Sequence, residues 1–134
     1  MSRRRRDGRP VGARVLVVDD DRDMLEVIRG VLEDHGLTVE TATDGKQALA
    51  LVNRRAPDLV VLDVTLPVGS SRRVADRVHE LPGTAVPVLV ITADGHAPEK
   101  ASQLGAYAYL RKPFELLDLL GAVWQGLGRT SGSD

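Results

Sequence analysis

The sequence predicts an α/β fold, a doubly wound parallel sheet of five strands alternating with five helices. Three observations predict it. Short apolar runs stand at Val15-Leu16-Val17-Val18, Leu59-Val60-Val61-Leu62 and Val88-Leu89-Val90-Ile91. They are rich in β-branched residues and apolar on both faces, as strands buried on both sides of a sheet must be. Stretches of helical spacing fill the gaps between them. Strand-like and helix-like stretches then alternate along the whole chain, the order that builds a parallel sheet covered on both faces.

Each element has its own signal. After the strand at 15–18, Asp21 to Asp34 places Met24, Leu25, Ile28, Val31 and Leu32 on one helix face. Asp21 is suited to cap its start and Gly36 to stop it. Leu37-Thr38-Val39-Glu40-Thr41 alternates instead, which suits an edge strand. Asp44 to Arg55 opens with Asp44-Gly45-Lys46-Gln47, an N-cap with Gln47 reaching back, and buries Ala48, Leu51 and Val52. Following the strand at 59–62, Val74, Val78 and Leu81 define a helix from Ser71 that Pro82-Gly83 ends. Pro98 to Leu104 gives about two turns, with Pro98 tolerated at the first helical position. Ala106-Tyr107-Ala108-Tyr109-Leu110 is the second alternating strand. Phe114 to Leu127 then presents Leu116, Leu120, Val123 and Leu127 as a stripe, with Trp124 assigned to the core side.

Composition narrows the function classes. The 134 residues suit one domain, and 43% hydrophobic content suffices for a core. A net charge of −1 hides an asymmetry, since Arg3, Arg4, Arg5, Arg6 and Arg9 face one acid, Asp7, in the first ten residues. Setting these aside leaves 13 basic against 18 acidic residues, so the body carries −5. Such a body argues against nucleic-acid binding by the folded part. The absence of cysteine excludes disulfides, thiolate zinc sites and cysteine nucleophiles. No apolar run is long enough to span a membrane or to follow the basic start as a signal peptide, so the expected location is the cytoplasm. Residues 1–11 are expected to form a basic, disordered tail, 12–127 the domain, and 128–134 a flexible end.

The polar residues that follow the strands carry the chemistry. The first strand ends in Asp19-Asp20-Asp21, the third in Asp63, the fourth in Thr92, and the fifth runs into Lys112-Pro113. In a doubly wound sheet the carboxyl ends of the strands share one edge, where ligands bind near the switch in strand order. Asp19, Asp20, Asp63, Thr92 and Lys112 should therefore converge. Crowded carboxylates repel, and two charges about 4 Å apart near a surface cost on the order of 4 kcal/mol. A hard divalent cation relieves this, and oxygen ligands at a shallow, wet site suit Mg²⁺. With Lys112, such a cation could hold the equatorial oxygens of a transferring phosphoryl group while a carboxylate attacks phosphorus. Thr92 offers a hydroxyl to one of those oxygens.

Other motifs fail. Gly45-Lys46 lacks the rest of a phosphate-binding loop, since Gln47 stands where Ser or Thr is required. His35, His79 and His96 have no metal-ligand spacing and read as surface or loop residues. No Gly-x-Ser-x-Gly elbow is present. Four aromatics (Tyr107, Tyr109, Phe114, Trp124) do not make a base-stacking surface.

The stretches 15–21, 57–67, 91–93 and 105–114, matched in order, closely resemble the receiver domain of bacterial response regulators, the phosphoacceptor half of two-component signalling. The resemblance covers residues 13–127. It implies a flavodoxin-like strand order, 2-1-3-4-5, and a cis peptide bond at Lys112-Pro113. Asp63 is then the phosphoacceptor, with Mg²⁺ held by Asp20, Asp63 and the main-chain carbonyl of Thr65, and by Asp19 mainly through water. Thr92 would close on the phosphoryl group, Lys112 would bridge to it, and Tyr109 would swing inward as Thr92 moves. The implied donor is a sensor histidine kinase or histidine phosphotransfer protein. The implied output is a switched face built by the fourth helix, fifth strand and fifth helix, with a downstream protein partner or a homodimer. Self-phosphorylation from small donors and autodephosphorylation are the only catalysis implied. The sequence departs from the family at Val68-Gly69-Ser70-Ser71, where Gly69 is displaced and Ser71 stands where Gly is usual. The loop after Thr92 is short, and Thr65 and Asp94 flank the route of attacking water. A chain without an output domain is the leading reading. A receiver fragment of a longer DNA-binding regulator, a phosphorylation-independent interaction module and a metal-dependent phosphatase are the alternatives.

Overall fold

The computed structural model describes residues 3–4, 10–65, 68–83 and 85–131. Five strands, β1 (Arg14–Val18), β2 (Thr38–Ala42), β3 (Leu59–Asp63), β4 (Val88–Thr92) and β5 (Ala108–Arg111), form one parallel sheet in the order β2-β1-β3-β4-β5. Five helices alternate with them: α1 (Arg22–Asp34), α2 (Gly45–Arg54), α3 (Val68–His79), α4 (Ala97–Gln103) and α5 (Leu116–Ser131). The expected fold class and strand order hold. Within the basic start, Arg3–Arg4 pairs antiparallel with Pro10–Val11; residues 5–9 lie outside the described part.

The pleat sorts the apolar runs into two cores. Leu16, Val18, Val60, Leu62, Val88 and Val90 pack with Ala48 and Val52 of α2, Val74, Ala75 and Val78 of α3, and Ala101 of α4. Val15, Val17, Leu59, Val61, Leu89 and Ile91 pack on the other face with Leu25, Ile28 and Leu32 of α1 and Leu119, Leu120, Val123 and Leu127 of α5. This is why the runs are apolar without alternation: successive residues serve opposite cores. Each fully buried Leu, Ile or Val contributes about 1.5–3 kcal/mol, so the central strands are held firmly at their carboxyl ends, where the polar residues begin.

Caps set the helix ends. Asp21 accepts the amides of Asp23 and Met24 at the start of α1. Gly36, at φ 87°, ends it: Leu37 N–H bonds Leu32 C=O at 3.1 Å and Gly36 N–H bonds Glu33 C=O at 3.0 Å. That pairing requires a left-handed residue, which Gly supplies without strain. Asp44 accepts the Gln47 amide at 2.8 Å, and Gln47 reaches back to the amide of Thr43, one residue beyond the cap.

Of the boundaries that differ from expectation, three bear on the packing around the site. Residues from Val68, expected in a loop, already belong to α3, and the Ser71 hydroxyl donates to the Asp63 carbonyl at 3.3 Å, tying the helix start to β3. The fifth strand begins at Ala108, not Ala106, because the Ala106 amide bonds Ala101 C=O at 2.9 Å and closes α4. Helix α5 continues through Ser131, past Leu127, since no proline or capping turn interrupts it.

Candidate functional site

The carboxyl edge of the sheet gathers the polar residues as the topology requires. Asp63 is the last residue of β3 and Thr92 the last of β4. Asp19 follows β1 with its amide still bonded to Ala42 C=O at 3.1 Å, and Lys112 follows β5 with its amide on Thr92 C=O at 2.8 Å. These ladder bonds fix four backbones. Asp19, Asp63 and Thr92 are fully buried, whereas Asp20 is exposed at the rim. The peptide bond Lys112–Pro113 is cis, as expected.

Lys112 joins the two buried carboxylates. Its ammonium lies 2.7 Å from Asp19 Oδ2 and 3.2 Å from Asp63 Oδ2. Asp63 Oδ1 accepts from the Thr65 amide at 2.9 Å and the Thr65 hydroxyl at 2.7 Å. Burial pushes the Asp63 carboxyl up, but the Thr65 donors and Lys112 outweigh it and hold the group below the usual carboxylate range. Asp19 goes the other way. Burial dominates there and raises its carboxyl, despite the bonds from Lys112 and the Asp21 amide. Burial disfavours the Lys112 ammonium, yet the two carboxylates more than compensate and raise it. The Thr65 donors and the Lys112 ammonium thus favour the charged form of Asp63, the form a nucleophile needs.

The donor set fits a hard divalent cation. Ligand oxygens of Asp19, Asp20 and Asp63 lie within 4.8 Å of one another. Three carboxylates against one ammonium leave two negative charges uncompensated, which a divalent ion balances. Exposed Asp20 leaves an open side for water ligands, which suits a metal that dehydrates reluctantly.

Around this cluster the remaining expected residues take distinct places. Thr92 Oγ1 accepts the Asp94 amide at 3.0 Å, so the hydroxyl is engaged with the loop that follows β4. Tyr109, 42% exposed, points away from the core on edge strand β5. Thr65 is exposed beside Asp63. His79 and His96 are exposed; His35 is half-buried at the end of α1, its Nδ1 2.8 Å from Val31 C=O. Trp124 packs partly buried against the second core. Two contacts carry no sequence signal. Ser71 reaches the Asp63 backbone, and Lys100 reaches Asp94 Oδ2 at 2.9 Å. Both depend on where a helix start falls in space, which spacing along the chain does not encode.

The strand order, with a buried aspartate pair and a lysine at the carboxyl edge, defines a receiver domain of two-component signalling. The chain belongs to the response regulator receiver domain family, whose profile matches residues 15–124. It is 42% identical over 123 residues to response regulator MprA of Mycolicibacterium vanbaalenii, covering 90% of this chain and 53% of that protein. The chain thus spans about half the length of the MprA relatives it matches. It is 39% identical to a 14.6 kDa protein of Leptolyngbya boryana, covering 83% of this chain and 87% of the other. Among solved structures, a response regulator receiver protein from Burkholderia phymatum superposes with a TM-score of 0.74 at 39% identity, over 87% of this chain and 95% of that one. CheY4 of Vibrio cholerae gives 0.76 at 31% identity, over 87% and 99%. Among the described residues no helix is long and apolar enough to cross a membrane.

Proposed function

We propose that Asp63 accepts a phosphoryl group from the phosphohistidine of a sensor histidine kinase or histidine phosphotransfer protein. One observation carries the reading: the Asp63 carboxylate is buried, with the Lys112 ammonium 3.2 Å from one oxygen and the Thr65 amide and hydroxyl on the other. A carboxylate oxygen forms the new P–O bond as the donor's P–N bond breaks, and the leaving imidazole takes up a proton. Asp19, Asp20, Asp63 and the main-chain carbonyl of Thr65 would hold Mg²⁺, which when bound supplies positive charge to phosphoryl oxygens. Lys112 supplies a second, fixed positive charge and turns from the Asp63 carboxylate to a phosphoryl oxygen. Thr92 donates its hydroxyl to another. Autodephosphorylation would return the domain, with no external substrate.

The modified aspartate carries extra charge beside β4 and next to Lys112 at the end of β5, and such a change acts by shifting an existing equilibrium. Thr92 and Tyr109 would move together, altering the face built by α4, β5 and α5 for a downstream protein or a second copy. A switch that acts through its receiver alone is one reading, and the similarly sized Leptolyngbya boryana relative is consistent with it. The MprA relatives, about twice as long, favour a second reading as the receiver part of a longer regulator. An immunoblot for the native protein's size separates the two.

The test of phosphotransfer is intact mass after incubation with acetyl phosphate and Mg²⁺. One phosphoryl adduct on the wild type, absent in Asp63→Asn and without Mg²⁺, is expected. An unmodified wild type, with a cognate kinase as well, would leave an interaction module with a vestigial site.

A further inference from the structure

The loop after β4 carries an ion pair that phosphoryl transfer does not require. Asp94 Oδ2 and Lys100 Nζ lie 2.9 Å apart, with side chains 34% and 31% exposed. Asp94 Oδ1 accepts the His96 amide at 2.8 Å, and the Asp94 amide donates to Thr92 Oγ1 at 3.0 Å. Asp94 therefore joins the hydroxyl at the end of β4, the turn that opens α4, and a lysine within α4. The Lys100 stem lines a cleft with Val64, Ser71 and Leu104, beside the residue that follows Asp63.

Helix α4 is short and lightly packed. It has seven residues, its buried residues are Ala97 and Ala101, and His96 at its N-cap makes no side-chain capping bond. A helix of two turns has no stability of its own, and an element with few buried apolar contacts opens easily. Beside the packing of Ala97 and Ala101 and the closing bond from the Ala106 amide, the Asp94–Lys100 pair then contributes measurably to its position.

We propose that the Asp94–Lys100 pair is a latch on Thr92, with Lys100 a positioning residue that acts through Asp94. The inference rests on the reading of Asp63 as phosphoacceptor. As the Thr92 hydroxyl turns toward a phosphoryl oxygen on Asp63, the Asp94 amide follows it or lets it go. Where the amide follows, the loop moves with it and draws the Asp94 carboxylate from Lys100. The pair is thus a contact made in one arrangement and weakened in the other, and only such differential contacts shift a population. A partly exposed pair shifts an equilibrium about two- to fivefold.

Lys100→Met keeps the stem and removes the charge. In the unphosphorylated full chain, amide exchange at Asp94 should accelerate about two- to fivefold in this variant and return to the wild-type rate in Lys100→Arg. Steady-state labelling by acetyl phosphate with Mg²⁺ should rise by a similar factor in Lys100→Met alone. Salt of about 1 M, where the Debye length is about 3 Å, should bring the wild type toward Lys100→Met and leave that variant unmoved, a response that a merely structural lysine would not give. An unchanged Asp94 amide in Lys100→Met, or equal loss of protection in Lys100→Arg, would overturn the latch. So would unchanged labelling in a Lys100→Met chain whose Asp94 amide has lost protection. A wild type that takes no phosphoryl group at all overturns the phosphoacceptor reading instead, and the exchange arm still decides whether Lys100 holds the loop.

Discussion

The Lys112 ammonium lies 3.2 Å from Asp63 Oδ2, bridging 49 residues of sequence, and 2.7 Å from Asp19 Oδ2. Two buried carboxylates share one cation, so the cation's removal leaves both without a counter-charge. Lys112→Met should destabilise the fold by about 2–3 kcal/mol at neutral pH, less than a fully buried pair because the lysine keeps some solvent contact. The sign with pH follows. Asp63, held low, contributes stability above its unfolded pKa that is lost as pH falls through its folded value. Without Lys112 that contribution shrinks, and Asp19, already raised by burial, rises further. The variant's deficit should therefore be largest near pH 7 and narrow on acidification. Urea midpoints of both proteins across that range check it, and a gap that widens toward low pH would contradict it.

Metal binding should be read out as stability. The ligand oxygens of Asp19, Asp20 and Asp63 stand close enough to share one ion, and a ligand that binds only the folded state stabilises it by mass action. At ten times its Kd, Mg²⁺ should contribute about 1.4 kcal/mol, seen as a rise in Tm. Asp20→Asn should abolish most of the rise while leaving the metal-free protein intact, because Asp20 is exposed and touches neither core. An equal shift in Asp20→Asn would remove Asp20 from the ligand set.

How much of this was legible in the sequence depended on whether the cause was local. The runs at 15–18, 59–62 and 88–91 announced strands because each residue had to be apolar whichever core it faced. Asp63 and Lys112 could be placed together because topology alone sends strand ends to one edge. Asp21, Gly36 and Asp44 were legible as caps because capping is decided within a few residues. The start of α3 was not. Val68 and Gly69 carry no helical signal, and the turn is tied instead by the Ser71 hydroxyl to the carbonyl of Asp63. The Asp94–Lys100 pair was hidden for a similar reason. A six-residue separation has no meaning in a helix or a strand, and here it spans a loop and the start of α4.

Two glycines of α5 should respond oppositely to the same substitution. Alanine is about 1 kcal/mol better than glycine inside a helix, and a Cβ at Gly121 meets nothing within 4 Å. Gly121→Ala should stabilise by up to that amount. At Gly126 a Cβ would fall on the Tyr107 hydroxyl, which donates to Ala122 C=O, and 2.5 Å from Leu59 Cδ1. Overpacking there costs about 1–3 kcal/mol and outweighs the propensity gain. Chemical denaturation of the two variants should move the midpoint up in the first and down in the second. Two shifts of the same sign would mean that α5 does not pack this closely on β3.

The approach of α2 to α3 gives a prediction with its own rescue. A Cβ at Gly45 would stand 2.7 Å from the Ser70 Cβ, and neither is the end of a flexible chain. Gly45 is the first residue of α2 and Ser70 lies in the first turn of α3, so relief requires the two helices to part. Both helices bury their stripes in the same core, where parting loosens Ala48 and Val74 together. Gly45→Ala should therefore cost about 1–3 kcal/mol in spite of alanine's better helix propensity. Ser70→Gly removes the Cβ from the other side and should itself cost about 1 kcal/mol or less. In the double variant the clash is gone, so the two effects should fall short of additive by at least about 1 kcal/mol, as coupled neighbours do. Strict additivity in a double-mutant cycle of unfolding free energies would show that the helix starts do not touch. The outcome bears on the site as well, since Ser71, one residue on, holds the backbone carbonyl of Asp63.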